Sequence, residues 1–240
     1  MTPKCIDSPE KAVAEVSDGA VVMIGGFGRS GVPEALTDAL SARRVRDLTV
    51  ISNNAGTGET GIARLLREGC IKKIICSYPR PAESGVFKDL YDAGMLELEL
   101  VPQGTLAERI RAGGAGIPAF YTPSSYGTDI AEGKPVAEFD GRPYVQERWL
   151  KADFALIKAE TGDPMGNLTY RMAARNFNPL MAMAAGTTIA QVSRVVQLGE
   201  IDPENVVTPG IFVDRLVTVA EPKQEETLNR EGAAYPEVAA

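Results

Sequence analysis

Hydrophobic residues follow two rhythms along the first half of the chain. Aliphatic-rich runs at 21–24, 48–52, 71–76 and 96–101 read as strands, whereas 33–44, 61–68, 83–93 and 105–112 carry apolar residues at helical spacing. Their alternation predicts parallel βαβ units. Further strands are expected at 154–159 and 168–171, joined through a turn that runs from Gly162 to Asn167. Asp163 and Asn167 resemble a fragment of a calcium loop, but without further ligands they read as part of that turn. Between Gly113 and Pro143 the chain is rich in Gly, Pro, Ser and Tyr and reads as an excursion carrying a hairpin at Asp140-Gly141. Thr105 and Glu108 have the spacing of a capping box, and Gly113-Gly114 is expected to close that helix. The predicted fold is α/β: an open, mostly parallel sheet flanked by helices, with a hairpin-containing excursion. Residues 221–240 are polar, charged and small and are expected to form a poorly ordered tail, leaving 1–220 as one domain.

Composition narrows the chemistry. The chain of 240 residues holds 25 basic and 32 acidic residues, a net charge of −7, and no basic run, which argues against nucleic acid as a partner. The longest apolar stretch, 179–190, is too short to span a bilayer, and the first residues carry no apolar signal core. With Cys5, Cys70 and Cys76 in no metal spacing and an odd count, a reducing cytoplasm is expected. There is no histidine, which removes Ser-His-Asp and Cys-His nucleophile systems and histidine-ligated metals. No metal site and no permanently bound cofactor are expected.

The run Gly26-Phe27-Gly28-Arg29-Ser30-Gly31 satisfies the G-x-G-x-x-G dinucleotide fingerprint and follows a strand. Its surroundings do not fit. Pro33 places the helix start after the third glycine, whereas a dinucleotide fold starts its helix inside the glycine run. Asp47 precedes the second strand instead of ending it. The glycines read better as a loop that lets something approach the backbone closely.

In an open parallel sheet, ligands bind outside the carboxyl ends of the strands. Here the first strand runs into Gly25-Gly26-Phe27-Gly28 and the second into Asn53-Asn54-Ala55-Gly56. The third leads to Ser77-Tyr78-Pro79-Arg80 and the fourth to Pro102-Gln103-Gly104-Thr105. Singly, each has a plain structural reading as a turn, a helix cap or a solvated loop charge. As neighbours they converge and offer the amides of Asn53, Asn54 and Gln103, free glycine N–H groups and the Arg80 guanidinium, a set suited to a carbonyl or a carboxylate. The set holds no evident nucleophile, and Cys76 reads as a buried small hydrophobe.

These residues carry a family resemblance. The run from Asp18 to Pro33 resembles the signature of the first subunit of family I coenzyme A transferases. The resemblance extends to Ser52-Asn53-Asn54-Ala55-Gly56, to the run from Val101 to Arg111, to Tyr121-Thr122-Pro123 and to Ala174-Arg175-Asn176-Phe177-Asn178-Pro179. It implies covalent, ping-pong transfer in which a glutamate attacks an acyl-CoA thioester and then carries CoA as a glutamyl thioester. In the family that glutamate lies in a Ser-Glu-Asn-Gly turn of the second subunit or second half. No such tetrapeptide occurs here.

The resemblance therefore implies an A subunit that works with a B subunit, as an A/B heterodimer or A2B2, with no catalytic nucleophile of its own. Gly25, Gly26, Phe27, Gly28, Gly31, Asn53, Asn54 and Gln103 would wall the acyl and pantetheine pocket facing the partner's glutamate. The loop at 74–80 and the segment at 202–213 are most similar to members that move CoA from succinyl-CoA to 3-oxoadipate. Both of those acids carry a distal carboxylate, which Arg80 could clamp bidentately. Two alternatives stand beside this: a short acceptor such as acetoacetate, and a non-catalytic ligand-binding domain of the fold shared with ribose-5-phosphate isomerase.

Overall fold

The computed structural model describes residues 4–79 and 85–220. In chain order its regular elements begin with β1 (Cys5–Ile6), α1 (Pro9–Ala12), β2 (Val21–Ile24), α2 (Glu34–Ala42), β3 (Leu48–Ile51), α3 (Gly61–Arg67), β4 (Ile71–Cys76), α4 (Gly85–Asp92) and β5 (Glu97–Leu100). There follow α5 (Gln103–Ala115), β6 (Ala119–Thr122), β7 (Val136–Phe139), β8 (Arg142–Arg148), β9 (Ala152–Gly162), β10 (Leu168–Thr169), α6 (Asn178–Met183), β11 (Ala185–Val195) and β12 (Arg215–Thr218). The main sheet runs β1-β12-β11-β9-β2-β3-β4-β5, with every neighbouring pair parallel and β10 added antiparallel to β9.

Strand alternation explains why the central runs carry apolar residues on both faces. Val22 and Ile24 of β2 and Val50 of β3 enter one buried cluster with Leu36, Leu40 and Leu65 of α2 and α3. Met23 and Ile51, one residue out of phase, enter a second cluster with Leu106, Ile110 and Met181 of α5 and α6. Helices cover both faces of the central strands β2 and β3, so apolar residues recur on both of their faces, whereas the edge strand β5, Glu-Leu-Glu-Leu, stays partly exposed.

Chain order reverses between β2 and β9. From β2 the chain moves outward through β3, β4 and β5, and from β9 it moves the other way through β11 and β12. The loop after β2 therefore opens at a topological switch point, where the flanking connections diverge and leave a crevice.

Both expected hairpins form. Asp140 and Gly141 join β7 to β8 with φ of 51° and 72°, the paired positive values of a two-residue type I′ turn. Asp163 caps its own turn by accepting from the amides of Met165 (2.9 Å) and Asn167 (3.0 Å) on the way from β9 to β10.

The capping box does not form. Helix α5 starts at Gln103 directly after Pro102, so Thr105 lies inside the first turn, where its buried hydroxyl has no partner among the described residues. Glu108 instead pairs with Arg111 at 2.7 Å. Nor do Gly113 and Gly114 end the helix. A Cβ at Gly113 would stand 1.9 Å from the Leu150 carbonyl oxygen and one at Gly114 2.7 Å from Met183 Cβ, so these glycines let the helix pack by its backbone. The helix ends at Gly116 in the left-handed conformation. The expected tail from Glu221 lies outside the described residues.

A polar network ties the small sheet β6-β8-β7 to the edge of the main one. Glu99 on β5 accepts from Lys73 Nζ (2.8 Å) and Arg109 Nη1 (2.9 Å). Arg109 Nε also reaches the Arg148 carbonyl (2.7 Å), and buried Glu147 accepts from Lys134 (2.6 Å). Burial pushes the Glu99 carboxyl up, but the hydrogen bonds from Lys73 and Arg109 outweigh it and hold the carboxyl below its usual value of 4.5. A lowered carboxyl contributes stability above its unfolded value and loses it as pH falls through the folded one. Glu99→Gln is thus expected to destabilise the protein by about 1–2 kcal/mol near neutral pH. In urea denaturation the deficit should shrink on acidification, and a deficit independent of pH would contradict the assignment.

Candidate active site

The loop after β2 is a tight turn set against a back plate. Phe27 and Ser30 exchange amide hydrogen bonds at 3.0 Å each way, leaving Gly28 and Arg29 at the tip, with Gly28 at φ 59°. Below the tip, the Gly25 amide donates to Leu156 of β9 (3.0 Å). The Gly26 amide donates to Asn176 Oδ1 (3.2 Å).

Asn176 and Asn178 form the back plate. Asn176 Nδ2 donates to the Ser30 carbonyl (3.0 Å), and Asn178 Nδ2 donates to the carbonyls of Gly31 (3.1 Å) and Ala174 (2.9 Å). Asn178 Oδ1 accepts the Lys158 amide at 3.0 Å. A Cβ at Gly25 would lie 1.8 Å from Asn178 Oδ1, and one at Gly31 2.4 Å from the Ala174 oxygen. Those two positions are glycine because the asparagine segment occupies the space.

A cleft opens in front of this turn. Gly25, Gly26 and Gly28 form one wall, Ser52, Asn54 and Gly56 line it from the loop after β3, and Thr57, Thr60 and Gly61 lead into α3 on the far rim. Asn54 Oδ1 accepts the Gly56 amide (2.9 Å), which shapes that loop. Of the residues expected from sequence, Gly25, Gly26, Gly28 and Asn54 thus meet at one cleft.

The others lie elsewhere. Asn53, adjacent to Asn54 but bonded away from the cleft, has its Oδ1 taken by Gln103 Nε2 (2.7 Å) and Ser77 Oγ (2.9 Å). Its carbonyl accepts the amides of Ser77 and Tyr78, both at 3.1 Å. Asn53 and Gln103 therefore clasp the ends of β3, β4 and β5 together. Phe27 is half exposed at the base of the turn, and Gly31 is buried against Ala174. Arg80 lies outside the described residues.

Sequence reasoning passed over two polar residues set behind the cleft. Lys158 is only 4% exposed although it sits near the carboxyl end of β9, and Glu34, at the first position of α2, accepts from the Thr60 hydroxyl (2.8 Å). The signal for Lys158 was a lysine inside the apolar run Ala155-Leu156-Ile157-Lys158-Ala159, where a buried charge needs a partner. Cys76 is no nucleophile here: burial pushes its thiol up to about 12. Among the described residues no cluster of His, Cys, Asp and Glu has the makings of a metal site, and no helix is long and apolar enough to cross a membrane. What the cleft offers is the Gly28 N–H at the tip of a preorganised turn and the Asn54 side-chain amide, donors suited to a developing negative charge on oxygen.

The description of the coenzyme A transferase family matches residues 6–218. The chain belongs to this family. Among its relatives, the A subunit of the 3-oxoadipate CoA-transferase of Pseudomonas putida is 59% identical over 220 residues, covering 92% of this chain and 95% of that protein. The A subunit of the succinyl-CoA:3-ketoacid coenzyme A transferase of Xanthomonas campestris is 53% identical over 228 residues, covering 94% and 93%. The acyl-CoA transferase of E. coli O157:H7, solved as a thioester complex with CoA, superimposes with a TM-score of 0.80 at 24% identity, covering 92% of this chain and 48% of that one, and shows the common fold.

The geometry of this CoA transferase's turn makes its glycines unequal. Gly25→Ala drives a methyl into Asn178 and is expected to cost about 2–4 kcal/mol through overpacking and a broken buried hydrogen-bond set. Gly28→Ala meets no atom within 4 Å, so only its left-handed backbone is penalised. That penalty is about 1–2 kcal/mol. Chemical denaturation of the two variants checks the ranking.

Proposed function

We propose that the chain is the A subunit of a two-subunit CoA transferase that moves CoA from succinyl-CoA to 3-oxoadipate, its nucleophile being a glutamate on the B subunit. One observation carries the reading: a cleft equipped to stabilise charge, with no activated nucleophile among its described residues, in a chain similar over nearly its whole length to the A subunit of such an enzyme.

The chemistry then divides between two chains. The partner's glutamate attacks the thioester carbonyl carbon, a C–O bond forms, and negative charge gathers on the carbonyl oxygen. Collapse expels CoA thiolate and leaves an acyl-glutamyl anhydride. The thiolate attacks the glutamyl carbonyl of that anhydride, releasing succinate and leaving a glutamyl-CoA thioester. The acceptor carboxylate attacks that thioester in turn, displacing the thiolate, which then attacks the acceptor's acyl carbon to form the product and regenerate the glutamate.

Each tetrahedral step needs donors aimed at the oxygen. The Gly28 N–H at the tip of the turn and the Asn54 side-chain amide are assigned to that wall, with Gly25 and Gly26 shaping it, Phe27 on the pantetheine side and Gly31 holding the turn to its back plate. Asn53 and Gln103, bonded to each other away from the cleft, are assigned to holding together the loops that border the acyl end. No permanently bound cofactor is required, since CoA enters and leaves as substrate. A reducing cytoplasm suits buried thiols such as Cys70 and Cys76.

Arg80 is assigned the distal carboxylate of the dicarboxylic acids. A second acceptor class, 3-oxoacids such as acetoacetate, is favoured by the likeness to the Xanthomonas protein. Reconstitution with the second chain separates the two. The chain alone should be inactive and the complex should show ping-pong kinetics, in a heterodimer or an A2B2 assembly read by sedimentation. Arg80→Met should lower kcat/KM for 3-oxoadipate by about 100-fold, as loss of a bidentate charged contact implies, and leave acetoacetate nearly unaffected. Equal losses on both acceptors would remove the clamp, and activity from the isolated chain would remove the split site.

A further inference from the structure

A polar inlay lies beneath the cleft and has no part in the chemistry assigned above. On β9 and β11, Lys158 and Gln191 stand side by side in register, 4% and 2% exposed. Lys158 shares its sheet face with Leu156, which packs toward α2. Both therefore point toward the first turn of that helix. Pro33, at the N-cap, offers no capping side chain, and Gln191 Oε1 takes the Ala35 amide (3.1 Å) in its place.

Glu34, the first helical residue, completes the inlay. Its Oε1 accepts the Thr60 hydroxyl at 2.8 Å. Thr60 is the N-cap of α3 yet makes no capping bond with its side chain. A threonine there ordinarily bonds the helix's own free N–H groups. Here its hydroxyl is diverted to Glu34, so the rim of the cleft is fastened to α2 instead of to α3.

We propose that Glu34 is a positioning residue of the transferase: by holding Thr60 it fixes the Thr57–Gly61 rim at the width that admits the acyl-CoA. The proposal rests on the functional reading above. Burial pushes the Glu34 carboxyl above its usual value, the Thr60 hydrogen bond opposes this, Asp38 adds to it, and Lys158 and Arg29 pull it back. Those are the charged groups that face it from α2, β9 and the glycine turn. The ionised form is the one that meets Lys158 and Arg29, so rim positioning is complete above the raised value and weakens as pH falls through it.

The test uses the reconstituted two-chain enzyme with succinyl-CoA and the variants Glu34→Ala, Glu34→Gln, Thr60→Val and Thr60→Ser. Glu34→Ala and Thr60→Val should each raise KM about tenfold while kcat changes about twofold or less, and the double variant should be no worse than either single one. Thr60→Ser should restore the wild-type KM. In the wild type, KM should climb on acidification, and Glu34→Gln should flatten that arm.

Asp38 and Arg64 join the same two helices by an ion pair at 2.7 Å that lies outside the cleft lining. Arg64→Gln, which breaks that pair from α3, should therefore leave KM unchanged, and a matching rise would mean that general helix packing is at work and overturn the proposal. Additive losses in the double variant, or a fall in kcat without a rise in KM, would overturn it as well. Amide exchange at 64–66, whose hydrogen bonds close on the carbonyls of the first turn of α3, reads the tie without turnover. Protection should fall about tenfold in Thr60→Val and hold in Thr60→Ser. A complex that transfers no CoA would refute the functional reading, and the exchange result would still decide this one.

Discussion

Asn178 is fully buried where β2, β9 and α6 meet, and its amide is used on both sides. The oxygen takes the Lys158 amide, and the nitrogen serves the carbonyls of Gly31 and Ala174. An amide so placed has one productive orientation, and leaving any of these groups unpaired in the interior costs about 1–3 kcal/mol. The glycine turn, the end of β9 and the start of α6 are thereby fixed relative to one another. The cleft is rigid because an interior hydrogen-bond set holds the backbone behind it.

This clamp sits at the one place in the sheet where the order of strands reverses. Elsewhere along the carboxyl edge, loops are held sideways by their neighbours, as Asn53 holds Ser77 and Gln103. At the switch point the loops on the two sides run apart, so an opening is forced by topology. Asn176 and Asn178 are the means by which a gap in the connections becomes a shaped cleft, and the glycines are the concession that lets them approach.

Much of this was legible in the chain. The strands β2 and β3 read clearly because helices cover both their faces, which favours apolar residues on each. Asp140-Gly141 read clearly because few dipeptides tolerate two positive φ angles. By contrast β11, one of the longest strands, was hidden: Gly186, Gln191 and Arg194 interrupt its run, the latter two bonding Ala35 of α2 and Thr161 of β9. Convergence of the loops followed from parallel order, but which of two adjacent asparagines faces the cleft depends on backbone torsion and on distant partners. Thr105 and Glu108 matched a local capping pattern and lost to Pro102, which starts the helix earlier. The run from Ala174 to Pro179 was visible as a motif, yet its role as the back plate lies in hydrogen bonds to residues nearly 150 positions away.

The carboxyl edge also carries apolar surface that a single chain does not cover. Phe27 and Tyr78 are 49% and 59% exposed, and Met172, just before the asparagine back plate, is 87% exposed. Met172 also holds φ at 45°, a conformation that disfavours any residue but glycine, asparagine or aspartate. Strain and exposure at one residue beside a cleft are costs that packing within the chain does not recover. On the proposed split-site reading, a second chain closing over that edge would cover such residues and supply the nucleophile, so one association would answer both the uncovered surface and the missing group.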